Sequence, residues 1–329
     1  LVGCKNCTVE ECEIYDNGAD GITVSWGSDG CKVLRNYVHH MWYDSHPDGI
    51  QVYRKVTNFT VEGNLFFNVG QGFMLEETDG GVFRNNILAG TRHSGLVLGH
   101  KNTHNWTVEQ NTIAYTSFKA IIFSGQNTVI RNNVVLCGGD NKLIQQAGQD
   151  PASGDYNLLW KPEGVDVIYH MPKDQTPHSK FADPKFRSAP PLNQKAIFYI
   201  DVWANKGSDK LCTPSKLYLG GRPLTNHFKV GDHIEVDFDG RVRKVTEVTN
   251  EYIVFEPPIE KVHHIAWNAV VNWKDRKEFV WDLRLAEGSP GKGLGDKGQD
   301  VGSNIDMQAY MKGDFNGDGQ RDLPPAPKK

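Results

Sequence analysis

Apolar and polar residues alternate in short bursts along the first 135 residues, and the bursts recur. TVEEC (8–12), KVLRN (32–36), TVEGN (60–64), VFRNN (82–86), TVEQN (107–111) and TVIRN (128–132) align, their starts 24, 28, 22, 25 and 21 residues apart. Between them runs a second set: GITVSW (21–26), GIQVYR (49–54), GFMLEE (72–77), GLVLGH (95–100) and AIIFSG (120–125). Such alternation predicts strands. Short strands in so small a unit cannot bury a face alone. Stacked coil on coil, roughly 4.8 Å apart, they bury a continuous core. The pattern therefore predicts a parallel β-helix. Its inward columns are Ile22/Ile50/Phe73/Leu96/Ile121 and Val24/Val52/Leu75/Leu98/Phe123. Its turn column is Cys12, Asn36, Asn64, Asn86, Asn111 and Asn132, with amides bonding along the stack. A leucine-rich repeat is the rival, but no helix-bearing LxxLxL unit occurs. Because the chain opens inside a repeat, we expect residues upstream of Leu1 to have been removed.

The period is lost after residue 137. KLYLGGRPL, VGDHIEVDFDGRVRKVTEV and EYIVFEPPI carry GG and DG turn signals and predict antiparallel strands. We divide the chain into coils over 1–190, an inserted small antiparallel β-domain over 191–275, and a return to the helix end plus tail over 276–329. The insertion is expected to cap the open end of the stack, with a wall beside a substrate groove as the other arrangement.

Composition narrows the partners. The net charge of −4 gives no basic field for nucleic acid. No apolar run approaches the roughly 20 residues that span a bilayer. Six cysteines include no CxxC…CxxC pair, and their spacing does not predict a structural zinc site. Cys7 and Cys31 fall at equivalent places on adjacent coils, within reach of a disulfide or side by side as buried thiols. Asn-x-Thr sequons at Asn6, Asn58 and Asn105 fit the Asn-before-strand pattern of the repeat. In the tail, Asp314, Asn316, Asp318, Gln320 and Asp322 surround Gly319 in the order of the first part of a calcium loop, although Pro325 stands where a bidentate Glu belongs. A bound calcium there would be structural, and an acidic surface turn is the alternative.

The longest repeat, 28 residues, carries MWYDSHPDG. Extra length in one coil implies a loop over one face, where function tends to sit. Asp48 and His46 are the leading candidates. Outward columns of the middle coils add Tyr53, Arg54, Glu76, Glu77, His93 and His100 as candidate catalytic groups. Trp26, Trp42, Tyr43, Gln51 and Lys101 are candidate substrate contacts. Half of the twelve His residues lie between positions 39 and 104.

The repeat resembles the right-handed parallel β-helix superfamily of pectate lyases, polygalacturonases, alginate lyases and mannuronan epimerases. HPDGI (46–50) resembles the NTDGI motif of polygalacturonases, and His93 with SGLVLG is similar to their GHGLSIG. Their paired Asp should align near Gly70–Gln71, where this chain has no acid, and their RIK motif is absent. The resemblance implies a secreted or cell-envelope monomer acting on a polysaccharide. Three readings stay open. β-Elimination on a uronate polymer needs Arg54, Gln51 or His46 to neutralise the carboxylate, with His93, His100 or Tyr53 moving protons. Inverting hydrolysis needs Asp48 with Glu76 or Glu77. A non-catalytic carbohydrate binder or adhesin would use Trp26, Trp42 and Tyr53 as sugar platforms. The His, Tyr and Arg content favours elimination.

Overall fold

The computed structural model describes residues 1–41, 47–99, 102–137, 143–146, 152–161, 176–192, 195–200, 212–221, 223–260, 262 and 269–323. Short strands stack in parallel into three sheets, of seven, eight and six strands. Sheet 1 begins Thr8–Glu10, Lys32–Leu34, Val56–Glu62, Thr78–Arg84 and His104–Glu109. Sheet 2 begins Glu13–Tyr15, Tyr37–His39, Leu65–Phe67 and Ile87–Ala89. Sheet 3 begins Ile22–Ser25, Asp48–Tyr53, Gln71–Leu75 and Leu96–Leu98. Every strand pairs with its equivalent one coil away, as the repeat predicts. In sheet 3, Ile22 pairs with Ile50, Ile50 with Phe73, Phe73 with Leu96 and Leu96 with Ile121. Both expected inward columns are buried in one core. The fold is a parallel β-helix with a separate antiparallel sheet, and it holds almost no helix. No helix of the described residues is long and apolar enough to cross a membrane.

Left-handed residues turn the corners. One column reads Asn6, Gly30, Asn58, Gly80, Asn105 and Asn127, all at positive φ. Asn and Gly tolerate that conformation best, which explains the sequons in backbone terms. After sheet 1, a second such column (Glu11, Arg35, Gly63, Asn85, Gln110, Asn132) precedes the amide ladder. Asn36, Asn64, Asn86 and Asn111 form that ladder, but its next member is Asn133, not Asn132. Asn132 is the left-handed residue before it, so the expected column slips by one at its last rung. The ladder continues to Asn157 and ends on Ser179 Oγ.

The insertion does not cap an end of the stack. Its six antiparallel strands, from Ile197–Tyr199 to Ala269–Lys274, lie along the flank formed by sheet 2. The reason is in sheet 2 itself: its outward residues Leu65, Phe67, Ile87 and Ala89 are apolar and need cover. Tyr199, Trp273, Trp281 and Phe238 supply it, with Phe238 and Phe67 ring centroids 4.2 Å apart. The Tyr199 hydroxyl donates to Gly90 O at 2.5 Å, and His40 Nε2 lies 2.7 Å from Asp237 O.

The DPKF (183–186) and SPGKG (289–293) segments meet. Phe186–Ser188 pairs with Asp282–Leu285, and Ser289 Oγ donates to Pro184 O at 2.6 Å. From there the chain climbs back along the ladder corner as a strap. Asp296 bonds Asn132, Ser303 bonds Asn85, the Tyr310 hydroxyl donates to Gly63 O, and Arg321 reaches Glu13 at 3.9 Å.

Candidate functional site

The HPDG motif combines a backbone requirement with a chemical one. Gly49 stacks between Gly21 and Gly72 at the corner leading into sheet 3, and a Cβ there would come within 2.6 Å of Gly72 O and 2.7 Å of Phe66. Asp48, the residue before it, is buried, and its backbone N–H donates to Asp20 Oδ1 at 2.8 Å. One coil on, the residue paired with Asp48 is Gln71. Gln71 Nε2 donates to Asp48 Oδ1 at 3.2 Å, and Gln71 Oε1 lies 3.1 Å from His93 Nδ1. An amide oxygen only accepts, so this contact puts the proton on Nδ1 and leaves Nε2 as the basic nitrogen. Carboxylate, amide and imidazole thus form one hydrogen-bonded row across three coils.

His93 also packs on Phe118, with centroids 4.9 Å apart, and the Lys119 ammonium lies 4.3 Å from the centroid of the same ring. A base and a cation therefore share one ring.

Other candidates gather at the far end of the same strands. Arg54 Cζ lies 4.0 Å over Trp26 and 5.1 Å from the Tyr53 ring. Trp26 is 59% exposed. Among the described residues, no carboxylate lies within ion-pair distance of Arg54. Glu76 and Glu77 occupy the next coil beside Tyr53 and Arg54. Gln51 and Met74 lie half-buried on the outward face between the two ends.

From Asp48 to Tyr53 is five residues of strand, roughly 16 Å. Asp48 and the Glu76–Glu77 pair are therefore much further apart than the roughly 6.5–9.5 Å of two inverting carboxylates. The expected Asp48–glutamate pair is not assembled, because the acids occupy opposite ends of one strand register. His46, His100, Trp42, Tyr43 and Lys101 fall outside the described residues. Gln71, Phe118 and Lys119 were not expected as site residues. Gln71 and Lys119 stand in the strand-start column Asp20, Asp48, Gln71, Ser94, Lys119, and that column was the signal that could have found them.

The acids of loop 314–322 bond the loop's own backbone. Asp314 accepts from Gly317 and Gly319 N–H, Asp318 from Gln320 and Asp322 from Phe315. Asn316 Oδ1 accepts from Asp318 N–H. The Asp314, Asp318 and Asp322 carboxylates do not converge within 4.8 Å of one another.

Comparison with the curated proteins and with the solved structures gave no match. Residues 1–135, which hold the Asp48–Gln71–His93 row, match the family model described as right handed beta helix region.

Proposed function

We propose that this protein is a polysaccharide lyase that cleaves a uronate-containing glycan by β-elimination, with His93 as the proton-transfer group. The observation that carries this reading is the Asp48–Gln71–His93 row, which orients an imidazole with Nε2 as its basic nitrogen. In the reaction, His93 Nε2 takes the proton α to the uronate carboxylate. The Lys119 ammonium meets the charge that develops on that carboxylate. The C–H electrons form the ring double bond as the glycosidic C–O bond breaks, and the imidazolium returns its proton to the leaving oxygen. Arg54, stacked on Trp26 and Tyr53, binds a further acidic sugar at the other end of the strands, so an extended polymer lies across sheet 3. This reading goes with a secreted or cell-envelope monomer.

The experiment is a panel of uronate polymers assayed for new unsaturated chain ends by ultraviolet absorbance. His93→Ala should lower kcat by about 10²–10⁴-fold. Gln71→Ala should lower it less, and Arg54→Ala should mainly raise KM. Full activity in His93→Ala, or reducing ends formed without unsaturation, would rule the reading out.

A second reading rests on the exposed Trp26 with Arg54 above it: a non-catalytic carbohydrate binder. Polymer retention that survives His93→Ala, vanishes in Trp26→Ala and is never followed by cleavage would select it.

A further inference from the structure

The spacing of the cysteines predicts no metal site, yet the first two coils bring three of them together. Cys7 and Cys31 are register equivalents, each two residues before the paired core residues Val9 and Val33. Cys4 comes from the other side of the corner, where the left-handed Asn6 (φ 53°) reverses the chain between Cys4 and Cys7. Gly30 makes the same bend one coil below, and a Cβ there would strike Asn6 Oδ1 at 2.4 Å. The corner is therefore held tightly, and the three sulfurs all lie within 4.8 Å of one another. Further along the stack, Val56 and Phe59 fill these two columns with hydrocarbon.

We propose that Cys4, Cys7 and Cys31 form a thiolate site for one soft d¹⁰ ion, zinc in the first instance, that clamps the first coil to the second. Thiolates about 2.3 Å from a tetrahedral zinc stand ~3.8 Å apart, so closing on the ion needs each sulfur separation to shorten by no more than about 1 Å. Thiolate sulfur selects zinc or copper(I) over the hard cations that oxygen ligands hold. Cys31 is fully buried while Cys4 and Cys7 are half-buried, so the fourth coordination position faces outward, toward water or another donor. A disulfide uses two sulfurs and strands the third; a metal uses all three, and all three are unbonded. Cys12 lies outside the group, its thiol donating to Glu10 O at 3.2 Å, and serves as the internal control.

The test is independent of any enzymatic activity. The full chain, reduced and kept anaerobic, is titrated with Co²⁺ and then Zn²⁺ while thiolate-to-cobalt charge-transfer absorption, metal content and melting temperature are recorded. The expected result is one equivalent bound, a charge-transfer band that zinc abolishes, and a higher melting temperature. Cys4→Ser and Cys31→Ser should lose the band, whereas Cys12→Ser should keep it. Cys4 is half-buried, so its variant serves if Cys31→Ser does not fold. Absence of the band in the reduced protein, its loss in Cys12→Ser, or its retention in Cys4→Ser would overturn the proposal.

Discussion

At Gly49 a single methyl group is too much. The corner brings Gly72 O and the Phe66 ring so close that Gly49→Ala must move backbone or core. Overpacking of this kind costs about 1–3 kcal/mol, and a lower denaturant midpoint would register it. The same shift displaces Asp48, so activity should fall with stability. Glu235 is a second residue whose surroundings set its behaviour. Burial pushes its carboxyl up from 4.5 to about 7, despite hydrogen bonds from Trp281, Trp273 and the Gly240 N–H. With the folded pKa above the unfolded one, the folded protein holds the extra proton between pH 4.5 and 7. The stability that Glu235 contributes is therefore greatest below that window and is lost as pH rises through it, at most by about 3 kcal/mol. Glu235→Gln should flatten this slope, and melting temperatures across the window would reveal whether it does. Asp48 was legible because its HPDG coil departs from the repeat, and Gly49 because the same glycine opens GITVSW and GFMLEE. Glu235 was not, because nothing in HIEVDF says that two indoles from residues 273 and 281 will close over it.

Between residues and the whole, the coil corner is the unit that repeats. Asn86 Oδ1 accepts from both the backbone and the side chain of Asn64, while its own amide donates to Val61 O and Asn111 Oδ1. Asn86→Ala removes the side-chain partner of two buried backbone groups, the Asn64 N–H and the Val61 carbonyl, at a cost on the order of 3 kcal/mol. Asn127→Ala, at an exposed left-handed corner where one amide bond links to Asn105, should cost less, about 1 kcal/mol, mostly from its backbone conformation. Equal midpoints for the two variants would show that the ladder does not carry the corner. The strands and inward columns could be read from the sequence because stacking forces the same short alternating pattern on every coil, whatever the length of the loops between. Register at the last ladder rung could not, since IRNN offers two adjacent asparagines and only the backbone decides which one turns left-handed. Gln71 escaped for a related reason. An uncharged amide in a strand-start column looks structural until the coil beyond it contributes an imidazole.

Over the whole molecule, the flanks have different tasks. Sheet 2 is covered by the insertion, and sheet 1 carries ion pairs such as Arg84–Glu62 and Arg131–Glu109. Sheet 3 carries both the His93 and the Arg54 groups. The side on which the insertion docks was not legible in its own sequence. It was written in Leu65, Phe67, Ile87 and Ala89, where strands that ought to alternate are apolar on both faces. The cysteine cluster is likewise a property of assembly: Cys4 and Cys31 are neighbours only once two coils have closed.

The strap gives this architecture a direction in time. Residues 296–321 follow the coils in the sequence, yet they bond to Asn132, Asn85, Gly63 and Glu13 in turn, reaching back to progressively earlier coils. A nascent chain that stacks its coils as they appear must hold that seam open to solvent until the strap has followed them. Quality control that samples the seam would therefore read a missing strap as a fault in the coils it should cover.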